Sequence, residues 1–176
     1  MKKLILTLLC ACTAAGLRAR SNEWLDPAVN EINRLPMRAS YFAYESAEAA
    51  RKGDPRVSER FLDLDGTWKF SWVRNADQRP ADFFRTDYDD RSWSTMPVPG
   101  LWELNGYGDP QYLNIGYAWR EQFENNPPYV PVKENHVGSY RREIEIPASW
   151  SDKQVVARFG SVTSNIYLWV NGRFVG

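Results

Sequence analysis

The sequence predicts an all-β fold of antiparallel strands packed as a sandwich, with long irregular loops. Three observations carry this. From residue 61 onward, several segments alternate apolar and polar residues with period two, which turns one strand face toward a core. Turn residues, not long helices, separate those segments, as in antiparallel sheets. Eight Trp, nine Tyr and eight Phe stand among 176 residues, and rings of that size fill β-rich cores.

Residues 1–16 read as an export signal. Lys2 and Lys3 supply a positive start, residues 4–12 a short apolar run, and Ala14-Ala15-Gly16 a small-residue cleavage site. The run is shorter than the about 20 residues that span a bilayer. Leu9-Cys10-Ala11-Cys12 also resembles a bacterial lipobox. Two exported destinations therefore stay open: a periplasmic protein, or a membrane-anchored lipoprotein held through Cys12. Both cysteines lie in this segment, so the mature chain has no disulfide framework or thiolate metal site to draw on.

Residues 17–60 read as an N-terminal arm with one short helix. Asp26-Pro27 opens a turn, since Pro is tolerated at the first helical position. Residues 45–52 (Glu-Ser-Ala-Glu-Ala-Ala-Arg-Lys) favour a helix that Gly53-Asp54-Pro55 stops. It is short and marginal alone. Residues 38–44 form a loop before it.

Residues 61–176 carry the sandwich. After the Asp65-Gly66 turn, Trp68, Phe70 and Trp72 point one way and Lys69 and Ser71 the other. Further strands are expected at residues 139–146, 154–159 and 165–170. Asn171-Gly172 is a hairpin signal, because a type I′ turn needs positive φ at both central residues. The sequence stops four residues after that turn begins its second strand, so the domain is expected to be truncated, the front piece of a longer protein. Residues 95–137 differ from the rest. They hold six prolines and four glycines, and a loop this long is usually functional or disordered. Its aromatic density argues for an ordered, irregular platform.

Twenty-two basic and twenty-two acidic side chains cancel. Neither a basic stripe for nucleic acid nor a polybasic run for anionic lipid is present. Individual candidates are mostly better read as structure. Trp102 and Trp119 offer flat faces to a sugar, but core or inter-domain packing is the plainer reading. His136, the one histidine, sits in a polar turn and reads as incidental. Glu23 and Asp26 are close enough to share a cation, yet an acidic pair near a terminus is ordinarily just solvated. Glu143 and Glu145 share a strand face about 6.6–6.8 Å apart and point to water. Asp87, Asp89, Asp90 and Arg91 read as a turn with Asx-type bonds before Trp93. No phosphate loop, metal-ligand spacing or Ser/His/Asp arrangement occurs, so these residues alone hold no catalytic machinery.

Several motifs then stand in series: Asn33-Arg34-Leu35-Pro36, Leu64-Asp65-Gly66-Thr67-Trp68-Lys69-Phe70, Val98-Pro99-Gly100-Leu101-Trp102-Glu103, Gly106-Tyr107-Gly108-Asp109-Pro110, Tyr112-Leu113-Asn114, Asn126-Pro127-Pro128-Tyr129-Val130-Pro131, Gly138-Ser139-Tyr140-Arg141 and Leu168-Trp169-Val170-Asn171-Gly172. Together, from about Trp24 to Gly176, the chain resembles the N-terminal region of family 2 glycoside hydrolases, specifically bacterial β-galactosidases. The resemblance implies a jelly-roll, galactose-binding-like sandwich as the first of several domains. It also implies a later barrel bearing two catalytic glutamates that work by a retaining mechanism, with carboxyls about 5–5.5 Å apart.

By the same resemblance, Asn114 meets the substrate sugar and Ile115 is an apolar neighbour near it. A carboxamide suits the task, since it donates and accepts hydrogen bonds. The implied function is the N-terminal segment of an exported β-galactosidase, inactive alone, with a galactoside or other glycan and the downstream domains as partners, and an oligomer permitted. No cofactor is expected within this chain. Mg and Na ions are possible in the full-length protein, with their main ligands downstream. Gly100 departs from a family pattern in which Ser is common, and the departure is expected to alter a turn. Two other functions remain open: a stand-alone carbohydrate-binding module, or a non-catalytic interaction domain.

Overall fold

The computed structural model describes residues 23–110 and 129–176. The export-signal reading at residues 1–16, with Cys10 and Cys12, lies outside them. The described chain is all-β with antiparallel sheets and few helical turns. Strand β1 (Gly66–Val73) is central, flanked by β2 (Ser94–Val98) and β3 (Val137–Arg141), giving the order β2-β1-β3. The registers pair Trp68 with Met96 and Phe70 with both Ser94 and Tyr140. A second sheet is the hairpin of β4 (Trp169–Val170) and β5 (Arg173–Phe174). Asn171 (φ 49°) and Gly172 (φ 78°) make its turn, as a type I′ geometry requires.

The arm holds helix α1 (Ala47–Lys52). Its caps are local chemistry: Ser46 Oγ accepts the Ala49 N–H at 3.1 Å, and Gly53 closes the helix at φ 69°. Asp54 then accepts the Arg56 N–H at 3.0 Å and starts a 3-10 turn at Pro55–Val57. The Asp26 turn also forms, with Oδ1 accepting the Ala28 N–H at 2.9 Å.

Two expectations about strands need correction. Residues 95–137 are not irregular from their start, because β2 occupies Ser94–Val98 despite Pro97. Among the described residues β2 pairs only with β1, and a strand with one neighbour tolerates a residue lacking N–H. In the other direction, residues 142–146 and 154–159 have no ladder among the described residues, and of 165–170 only Trp169–Val170 lies in a strand, with Leu168 bonded to Val175 and Gly176 beside it. Period-two patterning makes a segment compatible with a strand, but a strand forms only against a partner. Arg142 is instructive here. Its guanidinium donates to the Leu64 and Asp65 carbonyls, so a side chain takes over where the β1–β3 ladder stops at Lys69 and Arg141.

Phe70 (1% exposed) and Met96 (0%) form the centre of the core. The two sheets meet through the turn at residues 81–84. Phe84 stacks on Trp169 at 5.4 Å with 9° between planes, and Phe83 meets Trp169 edge-on at 5.3 Å. Arg141 holds that turn to β3. It donates to the Phe83 and Arg85 carbonyls and, at 2.9 Å, to Asp90. Arg91 N–H to Asp89 Oδ1 (3.1 Å) is the Asx bond read from the acidic run.

Candidate functional site

The alternation of β1 places Trp68, Phe70 and Trp72 on one sheet face, and residues 99–110 fold over it. Tyr107 meets Phe70 at 4.8 Å and Trp72 at 6.3 Å. Trp102 lies 6.1 Å from Phe70 and donates its indole N–H to Tyr140 Oη at 2.6 Å. Trp102, half-buried, therefore packs into this cluster. Gly138 makes this approach possible. A Cβ there would lie 2.5 Å from Trp102 Cζ2 and 2.7 Å from Phe70 Cε2, well inside contact distance.

The far end of this face is a stem built from the two segments that flank residues 111–128 in the sequence. The incoming arm is Gly106–Pro110 by sequence, and the outgoing arm runs from Tyr129 to His136. The end of β1 lies against both. Ala76 N–H donates to the Val132 carbonyl at 3.0 Å, and Glu134 N–H to Asn75 Oδ1 at 3.1 Å. Asn135 ties off its own turn through Nδ2 to the Pro131 carbonyl at 2.9 Å. His136 meets Trp72 at 4.9 Å, and a Cβ on Gly108 would lie 3.3 Å from His136 Nδ1. Gly108 also has φ 72°, a conformation that favours glycine.

Charge completes the stem. Arg74 Nη1 donates to Glu134 Oε1 and Oε2 at 3.3 and 3.2 Å, and its Nη2 lies 3.7 Å from Asp109 Oδ2. His136 Nε2 is 3.6 Å from Glu134 Oε2, an ion-pair distance only when the imidazole is protonated. Trp72 Nε1 and His136 Nε2 are both buried with no hydrogen-bond partner among the described residues.

Asn114 and Ile115, the two site residues read from the sequence, lie outside the described residues, as does Trp119. What is described is the stem on either side of them. Glu143 and Glu145 are exposed and lie past the end of β3. Among the described residues, no three His, Cys, Asp or Glu side chains come together as a metal site. Sequence reasoning missed Arg74. Its partners are 35 and 60 positions away, so no local pattern marks it.

Residues 61–176 match the family model described as glycosyl hydrolases family 2, sugar binding domain. The chain belongs to glycosyl hydrolase family 2. Similarity to curated relatives extends into the arm. The chain is 38% identical over 155 residues to a β-galactosidase of Priestia megaterium, covering 88% of this chain and 15% of the relative. It is 36% identical over 154 residues to a β-galactosidase of Lactobacillus delbrueckii subsp. bulgaricus, covering 87% and 15%. The β-galactosidase large subunit of Leuconostoc lactis is 31% identical over 168 residues, with 88% and 26% covered. The chain thus spans about one-seventh of the length of the first relatives it matches. In family 2 terms, the aromatic face and its stem are the scaffold of a sugar-binding domain.

Proposed function

We propose that this chain is the N-terminal, sugar-binding part of an exported β-galactosidase that removes terminal β-galactosyl residues with retention. Two carboxylates from downstream domains do the chemistry, one attacking the anomeric carbon and the other protonating the leaving oxygen. This domain supports them and lends Asn114, whose carboxamide meets a sugar hydroxyl, with Ile115 as an apolar neighbour. Any Mg or Na requirement belongs to those downstream domains. Export rests on Lys2, Lys3 and the apolar run after them, and the protein is periplasmic or anchored through Cys12. The observation that carries the reading is 38% identity to a β-galactosidase across 88% of the chain.

The experiment is Asn114→Ala in the full-length galactosidase, assayed on an aryl β-galactoside. Loss of the carboxamide leaves a sugar hydroxyl unsatisfied, and kcat/KM should fall by an amount equivalent to about 1–3 kcal/mol. An unchanged kcat/KM removes Asn114 from the site. Residues 1–176 alone should give no turnover, and measurable hydrolysis by them would overturn the division of labour.

A further inference from the structure

His136 is the one histidine of the chain, and it stands where the two arms of the stem meet. Its ring meets Trp72 at 4.9 Å, and Gly108 lies against its Nδ1 edge, where a Cβ would come within 3.3 Å. Nε2 is buried without a hydrogen-bond partner among the described residues, while Glu134 Oε2 stands 3.6 Å away. That separation is too long for a hydrogen bond and within reach of an ion pair. We propose that His136 is a pH-operated latch: on taking up a proton it pairs through Nε2 with Glu134 and fixes residues 106–110 against residues 129–136.

A neutral imidazole carries one N–H, and an imidazolium carries one on each nitrogen. Protonation therefore gives the orphaned Nε2 a donor and a charge, both facing a carboxylate. The same charge lies 4.9 Å from the Trp72 ring, inside the range of cation–π attraction. Both attractions hold the ring against which Gly108 packs, so the contact between the arms tightens with acid. Histidine is the side chain whose ordinary titration falls between about pH 5 and 8, which sets the latch in mild acid. Among the described residues, the charged groups around it are Glu134 beside Nε2, Arg74 donating to Glu134, and Asp109 at 3.7 Å from Arg74. Arg74 is the rival cation at Glu134. It opposes the arrival of the proton that Glu134 attracts.

The test is a proton NMR titration of the full 176-residue chain, in which a single histidine makes the Hε1 resonance unambiguous. Glu134 and Arg74 have half-exposed side chains, so replacing either leaves the packed core in place. Glu134→Gln should lower the His136 midpoint by about 0.2–0.7 of a pH unit relative to the wild type, the scale of an exposed ion pair. Arg74→Met, which removes the rival, should raise it. Amide hydrogen exchange then reads the latch itself. After correction for intrinsic exchange, residues 106–110 and 132–136 should be more protected at about pH 5.5 than at about pH 7.5, on either side of the histidine range. His136→Gln should abolish that difference. A midpoint unmoved by Glu134→Gln, or protection that responds to pH equally in His136→Gln, overturns the latch. A midpoint that does not rise in Arg74→Met overturns the competition.

Discussion

Trp102 donates its indole N–H to Tyr140 Oη at 2.6 Å, joining the loop that covers the sheet to strand β3. The bond sits beside Phe70, whose ring lies 4.7 Å from Tyr140 and 6.1 Å from Trp102. Three aromatic groups from three separate segments therefore fix one another, and the loop's path toward the stem depends on them.

Tyr140→Phe keeps the ring and deletes the acceptor. The indole N–H is left unpaired in a part-buried site, which should cost about 1–3 kcal/mol. The urea midpoint should fall with little change in its m-value. Burial also pushes the Tyr140 phenol above its usual value. A raised folded value means this contribution is complete below the ordinary tyrosine range, about pH 10, and is lost as pH rises through the folded value. Alkaline unfolding of Tyr140→Phe should therefore begin less steeply than that of the wild type.

Gly138→Ala tests the tightness of the same cluster. Its methyl would lie 2.5 Å from Trp102 and 2.7 Å from Phe70, so one ring must move. Overpacking of this kind costs about 1–3 kcal/mol, and thermal unfolding should register it. A variant as stable as the wild type would show that the loop is looser than its contacts imply.

The backbone at Gly100 leaves no room for a side chain. A Cβ there would lie 2.5 Å from the Pro97 carbonyl oxygen and 3.2 Å from Met96 Cε. The first neighbour is backbone, so the turn itself must shift. Gly100→Ser should destabilise this chain by about 1–3 kcal/mol, as read by chemical denaturation. An unchanged midpoint would mean that the turn has a second conformation at equal energy.

Acid should loosen the arm. Glu45 accepts the Ser58 hydroxyl at 2.5 Å, and that bond holds its carboxyl below the ordinary value. A lowered folded value contributes stability above the unfolded carboxyl range, about pH 4.3, and loses it as pH falls through the folded value. Glu45→Gln should flatten the acid limb of a Tm-against-pH curve by lowering Tm slightly in the neutral region, with little change at the acid end, where the wild-type carboxyl is itself protonated. Equal acid slopes for both proteins would remove Glu45 as the cause.

Local signals in the sequence transferred faithfully to the structure. β1 spans Gly66–Val73 with its large rings on one side, α1 sits between Ser46 and Gly53, and Asn171-Gly172 turns a hairpin. Each is decided by neighbours a few positions away. Non-local facts were not legible. Pro97 hides β2, because whether a proline is tolerated depends on how many partners flank the strand. The residues after Arg141 alternate as a strand does, yet pairing is settled by what lies alongside. The stem was equally hidden, since Arg74, Asp109 and Glu134 are unremarkable until the chain folds. Asn114 stands apart. It is an expectation drawn from a run of family motifs and lies outside the described residues, and its own neighbourhood in the sequence describes only a loop asparagine.

The unladdered residues beyond β3 have a practical consequence. Ile144, Ile146, Val155, Val156, Phe159, Val162 and Ile166 are each 43–55% exposed, beside backbone groups that have no ladder among the described residues. Such a surface is adhesive. When these 176 residues are purified by themselves, colloidal behaviour will be governed by that ribbon more than by the well-filled aromatic interior, so dilution and mild detergent should do more for solubility than any added thermal stability.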